Sequence, residues 1–158
     1  MSESSLEARL RRLEDIEALR VLKARYAEIC DEGFDPDLLA ALFTSDAVWD
    51  GGKLGRVEGR EAIRSFFAGA SKAMSFAIHH VGNPILEVEG DQATGRWHLW
   101  QPSIFGKAKQ ALWIAGRYRE KYRREDGVWR IAELIFRVTM MSPYEDGWSK
   151  TRVLGEQA

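Results

Sequence analysis

Two ionisable residues fall in apolar surroundings, where an environment can tune them. Asp31 follows Ile29-Cys30 at the end of a helical pattern, near the edge of its apolar stripe. His79 lies in the middle of Phe76-Ala77-Ile78-His79-His80-Val81, a strand-like run. A carboxylate that accepts from one ring nitrogen of a histidine stabilises the imidazolium formed on proton uptake. The other nitrogen is then available as a general base near neutral pH. Alternation along a strand puts His79 and His80 on opposite faces, so one of them is expected to face the interior. Spacing alone leaves two readings open. Asp31 and His79 are a surface turn residue and a half-buried strand side chain, or they are an interior pair.

Other chemistries find little support. The three histidines, His79, His80 and His98, lack metal-ligand spacing, so no metal site is expected. His98, between Trp97 and Leu99, is expected to face outward. The glycines fall in turns and form no phosphate-cradling loop. Cys30 is the only cysteine, which excludes an internal disulfide, and beside Asp31 it reads as packing.

The elements that must carry these groups follow from periodicity. Leu6, Leu10, Leu13, Ile16, Leu19, Leu22, Tyr26 and Ile29 form one apolar stripe of a long first helix. It ends at Asp31-Glu32-Gly33, where Gly33 suits the left-handed position. Asp35-Pro36 opens a short second helix carrying Leu38, Leu39, Leu42 and Phe43, with Asp35 as its cap. A short strand over Ala47–Asp50, another near Gly55–Glu58 and a third helix over Glu61–Ala73 come next. From about Met74 the chain is strand-like: Phe76–Glu89, Ala93–Gln101, Gln110–Tyr122 and Val128–Met141. Gly90-Asp91 and Glu125-Asp126-Gly127 mark hairpin turns. Helices first and antiparallel strands later is the α+β order. The long helix and the Glu61–Ala73 helix are the candidates to cover one face of the sheet.

With 158 residues and no linker or repeat, one domain spanning 1–158 is expected, its core over about 6–143 and a polar tail over 144–158. The net charge of −1 argues against nucleic-acid or anionic-membrane partners. No apolar stretch is long enough to cross a bilayer, and the N-terminus has no signal-like apolar run, so the expected location is the cytoplasm. Five of the six tryptophans, Trp49, Trp97, Trp100, Trp113 and Trp129, lie in strand-like segments, enough large rings to line an apolar pocket as well as a core.

Several stretches, in order, carry a family resemblance. They are Leu22-Lys23-Ala24-Arg25-Tyr26 followed by Asp31, Val57-Glu58-Gly59-Arg60-Glu61-Ala62-Ile63, His79-His80-Val81-Gly82-Asn83-Pro84, Val88-Glu89-Gly90-Asp91-Gln92-Ala93, Gly95-Arg96-Trp97, and the run from Tyr122 to Ile131. Over roughly residues 10 to 143 the chain resembles the SnoaL-like branch of the nuclear-transport-factor-two-like superfamily, which implies an α+β cone-shaped barrel, a curved mixed or antiparallel sheet wrapped around the long N-terminal helix and two shorter ones. It is most similar there to the group of scytalone dehydratase, hexachlorocyclohexane dehydrochlorinase and bile-acid 7α-dehydratase. The resemblance implies a catalytic aspartate at Asp31, a catalytic histidine at His79, five positions before Pro84, and an oxygen-holding tyrosine at Tyr26. Gln101 stands where the bile-acid enzyme has an acidic pocket residue, and Arg137 is a near match, one position out of register, to its pocket arginine.

The activity so implied is a cofactor-free lyase, dehydratase-like, or an isomerase, acting on a hydrophobic cyclic small molecule. The alternative is a binding or accessory protein of the same fold. Expected substrate contacts are Gln101 and Arg137, with walls from Trp49, Phe66, Phe67, Trp97, Leu99, Trp113 and Ile135. Members of this fold pair through the open side of the sheet, so a homo-oligomer is expected, a trimer before a dimer.

Overall fold

The computed structural model describes residues 5–155. Helix α1 runs Leu6–Asp31, capped by Ser5, whose hydroxyl accepts from the amide of Ala8 at 3.2 Å. Its C-terminus closes as a Schellman motif: the Gly33 amide donates to Cys30 O and the Phe34 amide to Ile29 O. Gly33 takes φ of 108°, and Phe34 itself is left-handed at φ 60°. This turn throws the Phe34 ring back into the core and holds Asp31 at the helix end. Helix α2, Pro36–Ala41, is capped by Asp35 as the sequence suggests, but Phe43 already opens the first strand.

The remaining elements are β1 (Phe43–Asp50), a 3-10 turn (Gly52–Leu54), β2 (Arg56–Glu58), α3 (Arg60–Ala73), β3 (Met74–Ala77), β4 (His80–Glu89), β5 (Gln92–Phe105), β6 (Gln110–Glu125) and β7 (Val128–Pro143). One mixed sheet runs β2-β1-β7-β6-β5-β3, with β4 also on β5; β1–β7 is the parallel pair. The sheet curls around α1 and α3. This is the expected α+β cone.

Inward positions alternate cleanly along β5 (Ala93, Gly95, Trp97, Leu99, Gln101, Ser103) and β6 (Leu112, Ile114, Tyr118, Glu120, Tyr122). Gly95 is glycine because the Tyr122 ring on the facing strand lies 2.8 Å from where a Cβ would stand.

Three expectations need correction. The run Phe76–Glu89 is two strands, because the amide of His79 leaves the ladder and donates to the Asp31 carboxylate. The stripe of α1 meets the core only from its middle onward: Leu19, Leu22, Tyr26 and Ile29 are buried, whereas Leu6, Leu10 and Leu13 are exposed. On β7 the register shifts by one residue at Ala132, so Leu134 and Phe136 face inward and their neighbours face out.

Candidate functional site

The gap between β3 and β4 brings His79 against the end of α1. Asp31 accepts from the His79 amide at 2.9 and 3.1 Å, and the His79 ring Nδ1 lies 2.6 Å from its Oδ1. One carboxylate therefore fixes both the backbone and the ring of the same residue. It does so at the C-terminal end of α1, the negative end of the helix dipole. The His79 side chain is 8% exposed and that of Asp31 28%. Asp31 lines an open groove between α1 and the β4 edge. His79 lines that groove and also a second space inside the cone. With Nδ1 committed to Asp31, Nε2 has no partner among the described residues.

The inner space is a cavity of about 370 Å³. Its walls are aromatic: Trp49 packs on Phe66 at 4.4 Å between centroids, and Phe66 meets Phe67 edge-on at 5.4 Å. Phe34 stacks on Phe67 and touches the His79 ring edge-on at 6.1 Å. Leu99, Ile114 and Phe136 line the sheet side. Tyr26 lies on the wall with its hydroxyl accepting from the Trp49 indole at 3.3 Å, and burial raises this phenol well above its usual range. Gln101 is buried on the wall, its amide donating to Met74 Sδ at 3.3 Å, a weak acceptor. Among the described residues no lysine, arginine or carboxylate side chain lines this cavity.

The cavity therefore gathers His79, Tyr26, Gln101, Trp49, Phe66, Phe67 and Leu99. Four expected contacts lie elsewhere. Arg137 faces outward and pairs with Asp50 at 2.9 Å, because the shift at Ala132 leaves odd positions of this stretch outside. Ile135 faces outward for the same reason. Trp113 is on the outer face, stacked on Trp100 at 5.3 Å. Trp97 points inward but at the narrow end, where its indole donates to Tyr122 at 2.9 Å; it lines the groove and not the cavity. His80 and His98 are exposed.

Sequence reasoning missed Phe34, Met74, Phe105, Tyr118 and Met141 on the cavity wall. It also missed a buried charge pair beneath it. Lys23 and Glu120 side chains, 1% and 0% exposed, hydrogen-bond to each other, and Tyr122 donates to the other Glu120 oxygen. Burial pulls the Lys23 ammonium below its usual range, against the opposing pull of Glu120. Inward alternation on β6 already put Glu120 between Tyr118 and Tyr122, which was the available signal.

The SnoaL-like domain family matches residues 11–135. The chain belongs to this family. Among similar solved structures is a candidate aromatic ring hydroxylase from Novosphingobium aromaticivorans, 30% identical, covering 85% of this chain and 96% of that one, with a TM-score of 0.76. A hexachlorocyclohexane dehydrochlorinase from Novosphingobium barchaimii LL02 is 26% identical over 85% of this chain and 92% of its own, with a TM-score of 0.77. A candidate scytalone dehydratase from Novosphingobium aromaticivorans DSM 12444 covers 93% and 97% with a TM-score of 0.77. At 22% identity it speaks for the fold alone. This SnoaL-like chain thus shares its fold with proteins named for dehydratase and dehydrochlorinase activities. No described helix is long and apolar enough to cross a membrane.

Proposed function

We propose that this SnoaL-like protein is a cofactor-free, dehydratase-like lyase or isomerase that acts on a hydrophobic cyclic small molecule. One observation carries the reading: His79 Nδ1 lies 2.6 Å from Asp31 while the same ring forms part of an aromatic cavity wall. Held by Asp31, the imidazole presents Nε2 as a base. Nε2 takes a proton from a ring carbon beside an activating group. The C–H electron pair becomes the new double bond as hydroxide leaves the neighbouring carbon, and the imidazolium returns its proton to that hydroxide as water. Tyr26 donates to the oxygen on which charge develops, and Gln101 orients the ring through hydrogen bonds.

The test is a panel of cyclic β-hydroxy ketones followed by mass spectrometry for loss of water. His79→Ala is expected to lower turnover by about 10²–10⁴-fold. Turnover that survives this change at the wild-type rate would overturn the reading.

A non-catalytic ligand binder is the second reading. It is favoured by Gln101, which leaves His79 as the only imidazole, amine or carboxylate among the described residues on the wall. A ligand recovered unchanged from every member of the panel would support it. On the outer face Trp100, Trp113, Tyr144 and Trp148 form an aromatic cluster that we assign to pairing between copies of the chain. Light scattering on Trp100→Glu against wild type checks this, with a smaller particle expected.

A further inference from the structure

Helix α1 has two apolar faces, and only one of them is covered. Leu19, Leu22, Tyr26 and Ile29 are buried in the cone. At about 100° per residue, Leu6, Leu10 and Leu13 point away from the side that carries Leu22 and Tyr26, and they are 78%, 55% and 64% exposed. Every residue from Leu6 to Glu14 is exposed, so no face of the first turns is buried. Short helical segments without a packed face are marginal in water. Three leucines in line on such a segment call for a cover.

The charges beside the leucines say what that cover is. Leu6, Leu10 and Leu13 fall at successive d, a and d positions of a heptad. Arg9 then lies at g, on one flank of the seam, and Glu14 at e, on the other. Neither side chain forms an ion pair with another described residue. In two parallel helices a g residue faces the e residue five positions on in the partner, so Arg9 of each copy meets Glu14 of the other. Antiparallel helices would bring like charges together on both flanks. Past the leucines, Glu17 and Arg20 pair at 3.7 Å and close the seam with balanced charge. Arg9, Arg11 and Arg12 are matched by Glu7, Glu14, Asp15 and Glu17, which leaves no basic excess to hold an anionic membrane.

We propose that the free N-terminal turns of α1 are an interaction surface for a second copy of this chain. The two helices lie parallel about a two-fold axis, with Leu6, Leu10 and Leu13 in the seam and Arg9 of each copy paired with Glu14 of the other. The contact is on the side of α1 away from the cone, and it is separate from the Trp100–Trp113 cluster on the sheet. It covers the exposed leucines of both copies and gives Arg9 and Glu14 the partners they lack. Leu10 and Asp31 are about 30 Å apart along the helix, so the Asp31–His79 pair and the cavity are untouched. Taken with the sheet contact, it makes an assembly larger than a pair.

The experiment is sedimentation velocity over a concentration series, in the Trp100→Glu background so that the sheet contact does not contribute. Trp100→Glu is expected to remain a pair, twice 18.0 kDa, that dissociates on dilution. Adding Leu10→Glu is expected to weaken the pair by about a hundredfold or more. Leu10 is exposed in the single chain, so circular dichroism of the dissociated variant should match that of its parent. Arg9→Glu and Glu14→Arg are each expected to weaken the pair about tenfold, and the two together to restore it. Leu13→Cys is expected to give a disulfide-linked pair under mild oxidation, because equivalent d residues adjoin in the parallel arrangement. Cys30, 1% exposed, does not compete. A Trp100→Glu protein that stays monomeric at its highest soluble concentration would overturn the proposal, whether or not it then binds phosphatidylcholine–phosphatidylglycerol vesicles. So would a pair that Leu10→Glu leaves intact, or a charge swap that fails to restore what the single changes lost.

Discussion

The two ends of the cone treat polar groups in opposite ways. At the narrow end Lys23, Glu120, Tyr122 and Trp97 are joined in one chain of hydrogen bonds and are buried. At the wide end His79 Nε2 and the Gln101 carbonyl line the cavity and have no partner of comparable strength among the described residues. A saturated network specifies structure, since each member satisfies another. An unsaturated set in a preformed apolar space is what a ligand requires.

The largest expected effect lies at the narrow end. Lys23→Met removes one half of a buried pair and leaves Glu120 uncompensated. It should cost about 3–5 kcal/mol, and Lys23→Met/Glu120→Leu should recover most of that loss. Urea unfolding of both variants checks this. If the single variant were as stable as wild type, the network would not be structural. At the wide end the expectation reverses. Gln101→Leu removes only a hydrogen bond to sulfur, so its stability should stay within about 1 kcal/mol of wild type while ligand affinity falls. Thermal unfolding with and without ligand reads both quantities in one experiment.

Cys30 separates the ends by a smaller effect. It is adjacent to Asp31 in sequence, yet it is 1% exposed and burial pushes its thiol up to about 12. A thiol held protonated and out of solvent does not react. Native protein at pH 8 should therefore leave Cys30 unlabelled by an aromatic disulfide reagent over the time in which denatured protein is labelled completely. Rapid labelling of the native state would show that the wall behind the cavity opens.

Much of this was legible in the sequence, and what was not has identifiable causes. The helices and hairpins follow from periodicity and turn residues. Asp31 and His79 stood out as ionisable groups in apolar runs, but spacing left their pairing open and the family resemblance was what favoured it. The wall residues on β5 obey simple alternation, so Leu99 and Gln101 were placed inward. On β7 one extra residue at Ala132 reverses the phase, and Arg137 and Ile135 exchange faces with Phe136 and Leu134. A shift of this kind leaves no mark in residue type, since Ile135 is as apolar as Leu134. Lys23 and Glu120 were passed over because charged residues are ordinarily read as surface. Only their convergence across 97 positions of chain makes them core.

Arg137 supports the smallest prediction, and one that sharpens the comparison from outside the cone. Its guanidinium forks onto Asp50 at 2.9 Å through both terminal nitrogens and is 56% exposed. Together with the Gly52 amide it pulls the Asp50 carboxyl from its ordinary 3.8 to about 2. A carboxyl depressed in the folded state contributes stability above its unfolded value and loses it as pH falls through the folded value. Asp50→Asn should therefore differ from wild type by a constant small amount above about pH 5, and the difference should shrink as pH falls and vanish only below about pH 2. Because solvent and salt screen the pair, the difference should also shrink as ionic strength rises. Arg137→Gln should leave turnover unchanged, and a loss would mean that β7 slips by one residue when ligand binds, bringing this arginine inside.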